Sequence, residues 1–397
     1  MNPWRGLGGL PREVWILSGA TLLNRMGTMA LPFLALYLTQ SMGFTPARAG
    51  EALLVYGLGA VAAAPLGGHL SDRIGPLRVM RGALLLAGCI MASITLVQSW
   101  PLLLALVGLW ALTAEGFRPA SMAILTDLAP DDRRKAVFSL NRLAINLGMS
   151  IGPVLGGLLA RHSFHALFWV DAATAAASAL VLTLAARDTH ARGGKAARAA
   201  HPFSALKDPR LAWFLVALFP VMVVFMQHAS SMPVFLVRNL HFSAAFYGSL
   251  FTLNTGLIVL FEIRINLATA FWPRRRALML GAALCAAGFG ALAFTRGAVG
   301  IWGTVAVWTF GEMILLPALS DHVAHLAPHD RRGAYMGLYA MIGAGLSQSV
   351  GPWLGLFLLG HFGGALLWTA MAGLGVLSAL GFARVVRDEP ASAPAPA

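Results

Sequence analysis

Ionisable side chains stand inside long apolar runs of this sequence, among them Arg25, Glu115, Arg118, His228, Glu262, Arg264 and Glu312. Placing such a group at the middle of a bilayer costs about 2.5–3.5 kcal/mol on insertion scales, so each is a functional candidate by default. The chemistry open to them is ion pairing and proton exchange. A carboxylate held by an arginine stays ionised, and one separated from its arginine in a low-dielectric site takes up a proton. Glu115 and Arg118 are three residues apart and share a helix face, while Arg25, on another run, offers Glu115 a second partner. Glu312 has no arginine following it on its own run and takes up a proton with less opposition. The proton-coupling candidates are therefore Glu115 and Glu312 equally, with Glu262 behind them. Each has a plainer alternative. Glu115 with Arg25 or Arg118 could be a static pair that only fixes helix packing, Glu262 with Arg264 reads first as a gate or packing pair, and His228 as a satisfied hydrogen-bonding residue. Asp171 and Asp321 fall near run ends, where they cap helices or face water.

The runs that position these groups dominate the chain. Of 397 residues, 58% are hydrophobic and only 11% charged, which is far too apolar for a soluble globular protein and places it in a lipid bilayer. The net charge of +13 does not indicate nucleic acid, because the basic residues lie in short clusters between apolar segments. Cys89 and Cys285 each sit inside an apolar run without metal-ligand spacing and read as packing residues, so no metal site is expected. The opening MNPWRGLGGLPREV lacks the pattern of a cleavable signal.

A membrane-spanning helix needs about 20 apolar residues. Twelve such runs can be drawn, at 13–38, 48–69, 78–98, 101–127, 136–160, 166–186, 210–237, 244–268, 277–295, 299–325, 334–360 and 363–385. Arg25 lies about 12 residues into the first and Glu115 about 14 into the fourth, which runs the other way; at about 1.5 Å per residue both approach mid-depth. Glu312 occupies the corresponding depth of the tenth. The expected organisation is a six-helix half over 1–186, a cytoplasmic loop over 187–209, a second six-helix half over 210–386 and a disordered tail over 387–397. Most lysines and arginines gather at the two termini and the even-numbered connections, with only Arg48, Arg161, Arg238 and Arg296 opposite, so both termini are expected in the cytoplasm.

The two halves repeat one stretch. Pro119, Pro130, Asp132, Arg133, Arg134, Ala136 and Leu140 recur at one constant offset as Pro317, Pro328, Asp330, Arg331, Arg332, Ala334 and Leu338. A period near half the chain length means a duplicated bundle. In the second connection, GGHLSDRIGPLRVM carries Gly68, Leu70, Asp72, Arg73 and Gly75, where glycines permit a tight turn and Asp72 can cap a helix or pair with an arginine. In the fifth run Gly148, Gly152, Pro153, Gly156 and Gly157 give the pattern G-x-x-x-G-P-x-x-G-G, whose small residues at i, i+4 and i+8 form a smooth face for close helix approach. The eleventh run keeps Gly351, Pro352 and Gly355 but has Leu346 and Ser347 where the first glycine would fall.

With these motifs the sequence resembles the major facilitator superfamily over essentially its whole length, and within it the drug:proton antiporter group. The resemblance implies an all-α membrane protein of twelve transmembrane helices in two pseudo-symmetric halves. It implies a cytoplasmic gate at Gly68, Asp72, Arg73 and Gly75, and a fifth helix that packs on its counterpart and seals against leak through Gly148, Gly152, Pro153, Gly156 and Gly157. It also implies a central cavity lined by the first, fourth, seventh and tenth helices, which would set Asn24, Arg25, Glu115, Arg118, Gln227, His228 and Glu312 around a small-molecule substrate. Phe33, Tyr37, Tyr56, Phe117, Phe225, Trp308 and Phe310 would then supply apolar walls.

The expected function is alternating-access, proton-coupled export of small amphipathic molecules, drugs among them, by a monomer in a bacterial-type inner membrane. The alternative is a proton symporter taking up a small polar or anionic nutrient such as a peptide, sugar or organic anion, for which Arg25 and Arg118 speak. No G-x-x-x-x-G-K-[ST] loop occurs, so the proton gradient rather than ATP is the expected energy source, with no cofactor. No nucleophile and base cluster points to an enzyme, and a receptor or scaffold would not need charges at mid-depth.

Overall fold

The computed structural model describes residues 9–129, 133–186, 202–328 and 331–387. Most of the expected central loop, the tail after Arg387, and Pro130, Asp132 and Asp330 of the duplicated stretch lie outside the described residues. Every described element is a helix. The chain divides into two compact units, one of Met1–Lys195 with Phe242–Ser249 and one of Ala196–His241 with Leu250–Ala397. The second stretch of unit one was expected in the other half.

In the first unit, α1 (Arg12–Gly27) and α2 (Ala30–Leu36) together make the expected first span, interrupted at Thr28 and Met29 and closed by a π-helical turn over Tyr37–Ser41. There follow α3 (Pro46–Ile74), α4 (Pro76–Ile94), α5 (Trp100–Leu128), α6 (Arg134–His162) and α7 (Phe164–Ala185). Local chemistry sets the starts. The Thr45 hydroxyl accepts the Arg48 N–H at 3.3 Å ahead of Pro46, and the Ser163 hydroxyl accepts that of Ala166 at 3.4 Å. Gly75, at φ 91°, ends α3 in a conformation that side chains avoid, and Pro76 opens α4 at once, so the reversal after Asp72 and Arg73 depends on this glycine. α3 lies against α5 because Gly67 meets Gly116: a Cβ on Gly67 would stand 2.7 Å from the Gly116 carbonyl oxygen. α4 packs on α5 and α7, and α1 packs on α6 and α7.

In the second unit, α8 (Pro209–Phe225), a 3-10 turn over Met226–Ala229, α9 (Ser231–Val234) and a π-helical turn over Phe235–Asn239 make an equally irregular seventh span. The turns at Tyr37–Ser41 and Phe235–Asn239 stand at the offset that separates Pro119 from Pro317, so the duplication extends to backbone irregularity. Then come α10 (Ala244–Thr269), which belongs to this unit from Leu250 onward, α11 (Arg274–Ala291), α12 (Ala298–Leu326), α13 (Arg332–Ala340) and α14 (Ser347–Val385). Another π-helical turn, Met341–Leu346, joins α13 to α14 where the glycine pattern fails. The Ser347 hydroxyl donates to the Ile342 carbonyl there at 3.0 Å. Phe214, Leu218, Leu278, Cys285, Leu315, Leu319 and Phe382 form the apolar core between α8, α11, α12 and α14.

Among the described residues, nine helices are long and apolar enough to cross a membrane. The twelve expected runs differ from these nine for three physical reasons. The first run is broken into pieces of 16 and 7 residues. α11 opens on Arg274, Arg275 and Arg276, too many charges for so short a helix. The last two runs meet at Gly363, whose non-helical φ of 81° kinks the chain at the expected boundary, so that two spans count as one helix.

Candidate functional site

Each unit carries one carboxylate cluster. In the first unit, close packing of α3 on α5 brings the Tyr56 hydroxyl to Oε1 of Glu115 at 3.4 Å, with Tyr56 edge-on to Trp110 at 5.0 Å. Arg118, one turn on, donates to Oε2 of Glu115 at 3.2 Å. Its side chain is 61% exposed against 16% for Glu115, so this is a pair at the edge of the packing. Arg25 ends α1, and of the two partners open to Glu115 it is Arg118 that pairs with the carboxylate. The Arg25 Nε is buried with no hydrogen-bond partner. A buried guanidinium nitrogen left without an acceptor is a costly arrangement. Asn24 is half-buried, and its carbonyl accepts the Thr28 hydroxyl at 3.0 Å.

In the second unit, Glu312 stands mid-way along α12, and Asn254 of α10 donates its amide to Oε2 at 2.9 Å and to the Thr309 hydroxyl at 3.0 Å. No lysine or arginine pairs with Glu312 among the described residues. Trp308 precedes Glu312 by one helical turn and presents to the same face. Around Trp308 gather the rings of His228 at 6.0 Å, Phe225 at 6.1 Å and Phe289 at 5.3 Å, and the buried Trp308 Nε1 has no acceptor. The His228 Nδ1 is 2.6 Å from the Phe225 carbonyl oxygen. The expected pairing of Glu262 with Arg264 is absent: residues two apart point to different sides of a helix, and Arg264 is exposed.

Gln227 sits elsewhere than expected. It is fully buried, its Nε2 donates to the Val223 carbonyl at 2.9 Å and the Gly351 carbonyl at 2.8 Å, and its Oε1 accepts the hydroxyls of Ser231 at 2.7 Å and Ser230 at 3.4 Å. Those four bonds use the whole capacity of an amide, so Gln227 ties the break in the seventh span to α14. A Cβ on Gly355 would fall onto Gln227, which is why that position is glycine.

The glycine pattern of α6 faces its own unit. A Cβ on Gly148 would come within 2.5 Å of the Arg25 Cβ, one on Gly152 within 3.0 Å of the Met26 carbonyl oxygen, and one on Gly156 within 2.9 Å of the Met29 Cβ. The smooth face therefore receives the interrupted first span of its own unit. Gly157 alone turns to the first residues of α10, where Gly248 lies 3.1 Å from its built Cβ. Asp72 and Arg73 are exposed and make no hydrogen bond or ion pair among the described residues, and Gly68 has open space around it. No group of His, Cys, Asp and Glu suited to a metal ion occurs among the described residues.

Two contributors escaped the sequence reading. Asn254, the partner of Glu312, is a lone amide in an apolar run, a signal that was present. Asp171 is buried, and its Oδ2 accepts the Ala30 N–H at 3.1 Å, so it caps a helix start as expected, but one on another span.

Comparison with known proteins gives this geometry a family. The Major Facilitator Superfamily profile matches residues 17–344. The chain is 26% identical over 373 residues to the MFS-type transporter YqjV of Bacillus subtilis (strain 168), covering 91% of this chain and 89% of that one. It is 24% identical to a Na(+), Li(+), K(+)/H(+) antiporter of Planococcus maritimus, covering 80% and 83%. Among solved structures, nucleoside transporter NupG superposes with a TM-score of 0.80 over 94% of this chain and 99% of that one, at 15% identity, a likeness of fold.

Proposed function

The chain belongs to the Major Facilitator Superfamily and is a multi-pass secondary transporter, and from that premise we propose that it exports small amphipathic molecules, lipophilic organic cations among them, in exchange for protons. One observation carries the reading. Glu312 is held by the neutral amide of Asn254 and stands one turn from Trp308 within an aromatic group that includes His228, Phe225 and Phe289. A carboxylate without a fixed cation can hold either a proton or a cationic substrate, and aromatic faces attract the same cations. Competition of the two for one carboxylate is the minimum an antiporter needs: binding of one releases the other, and alternating access returns them to opposite sides. The relative named as a cation/H(+) antiporter is consistent with such an exchange.

Glu115 plays a different part in this reading. Because Arg118 and Tyr56 already hold it, it releases its partner only if α5 and its surroundings rearrange, which suits a group that senses the conformation of its own unit. Asp72 and Arg73, exposed at the end of α3, serve as the gate, in a bacterial inner membrane with both termini in the cytoplasm and a monomer as the working unit.

A second reading rests on Arg25. Its buried Nε without an acceptor, with Arg118 exposed on α5, suits a carboxylate or phosphate on an imported nutrient. The test that separates the two uses everted vesicles energised by respiration and three probe sets: ethidium and tetraphenylphosphonium, a dipeptide, and an organic anion. Accumulation of the cations supports export. Movement of the dipeptide or anion instead, with the cations ignored, replaces it with the symporter.

A further inference from the structure

The first span is cut in two beside Arg25, and the cut is held from another helix. α1 ends at Gly27, Met29 donates its N–H to the Gly27 carbonyl at 2.6 Å, and α2 begins at Ala30. At that start, the Asp171 carboxylate of α7 accepts the Ala30 N–H at 3.1 Å. One turn further on α7, Thr174 lies under Gly27 so closely that any side chain at Gly27 would collide with it. Asp171 is only 3% exposed. On the opposite flank, Gly148 and Gly152 of α6 receive Arg25 and Met26 without room for a methyl group. The break thus has three fixed sides, and a hydrogen bond across to α7 is the polar one.

The second unit solves the same problem without charge. Its broken span is tied by Gln227, Ser230 and Ser231, all uncharged. Past the one-residue insertion that carries Gly152 to Gly351, the counterpart of Asp171 is Ala370, which has no polar side-chain group, and its neighbour Thr369 is exposed and bonds to the carbonyls of its own helix at Ala365 and Leu366. A buried polar residue is kept where a backbone donor needs it, since an unpaired buried N–H is costly.

We propose that Asp171 is a positioning residue of the transport cycle: its acceptor oxygen holds the break in the first span, and by fixing the start of α2 it fixes the last turn of α1 and with it Arg25. The acceptor does this work, not the charge. The consequence is that the Arg25 end of the candidate site is set from α7, a helix that contributes no other group to it. The inference concerns how the site is held and stands whichever substrate the transporter carries.

The test is amide hydrogen exchange on the purified full chain in lipid nanodiscs, read over residues 26–36. In Asp171→Ala, this segment exchanges at least tenfold faster than in the unmodified protein, while residues 226–236 of the other broken span are unchanged. Asp171→Asn, which keeps an acceptor oxygen and loses the charge, exchanges within about twofold of the unmodified protein. Thr369→Ala changes neither segment. Should Asp171→Ala not fold, Asp171→Leu keeps the volume without the acceptor and replaces it; an Asn variant that folds where both others fail supports the proposal equally. Unchanged exchange in Asp171→Ala overturns the proposal, and so does an Asn variant that exchanges as fast as Ala. Because no substrate enters the assay, a failed export assay leaves this result untouched.

Discussion

Asn254 reaches from α10 to Glu312 on α12 and donates its amide to Oε2 at 2.9 Å. An amide can serve a protonated carboxyl, a carboxylate or a glutamine side chain with small adjustments, so the contact does not fix the charge of Glu312. That tolerance separates it from Glu115, where the Arg118 guanidinium at 3.2 Å requires an anion.

The first prediction concerns Glu312 itself. Glu312→Gln keeps a partner for Asn254 and should fold with a thermal midpoint within a few degrees of the unmodified protein. Its proton-driven export of ethidium should fall at least tenfold, about 1.4 kcal/mol or more in a rate barrier. Glu312→Asp should fall between the two, since the shorter side chain loses contact with Asn254. Vesicle transport with size-exclusion controls reads both.

The glycine face of α6 orders its own variants. At Gly148 an added Cβ meets the Arg25 Cβ at 2.5 Å, at Gly152 the Met26 carbonyl oxygen at 3.0 Å, and at Gly68 nothing. Overpacking a close helix contact costs about 1–3 kcal/mol. Gly148→Ala should therefore lower the thermal midpoint most, Gly152→Ala less, and Gly68→Ala by no more than about 0.5 kcal/mol. Equal midpoints for all three would mean that α6 does not receive the first span as described.

Gln227 is predicted to matter for folding rather than selectivity. Gln227→Leu strands the Gly351 carbonyl and the Ser231 hydroxyl, at about 1–3 kcal/mol for an unsatisfied buried group. Thermal unfolding should register that loss, while the ranking of transported probes should stay the same. A changed ranking with an unchanged midpoint would return Gln227 to the substrate site.

The Arg118 pair should contribute little stability. With Arg118 61% exposed, Arg118→Ala should cost about 0.2–1 kcal/mol in unfolding experiments. A loss of several kcal/mol would show the pair to be buried in the working protein.

What the sequence made legible followed from patterns that one residue type enforces. Apolar runs gave the spans, the recurrence of Pro119 at Pro317 gave the duplication, and Gly75 gave the reversal between α3 and α4. What stayed hidden depended on partners far along the chain. The break in the first span is written in no single residue near it: Asn24, Gly27 and Pro32 are all compatible with a continuous helix, and the deciding acceptor, Asp171, sits on α7. The same holds for Gln227, a polar residue in an apolar run that looks equally suited to a substrate or a carbonyl until Gly351 is placed beside it. The pairing of Glu115 was open between Arg25 and Arg118, and only packing closed it.

The central claim, that protons and lipophilic cations exchange through Glu312, is tested most directly by following vesicle pH while the cation is added. In everted vesicles holding an acid interior, tetraphenylphosphonium should release protons, seen as recovery of a quenched acridine dye, with the unmodified protein and not with Glu312→Gln. The same recovery in both proteins, or none in either while tetraphenylphosphonium still moves, would contradict the account.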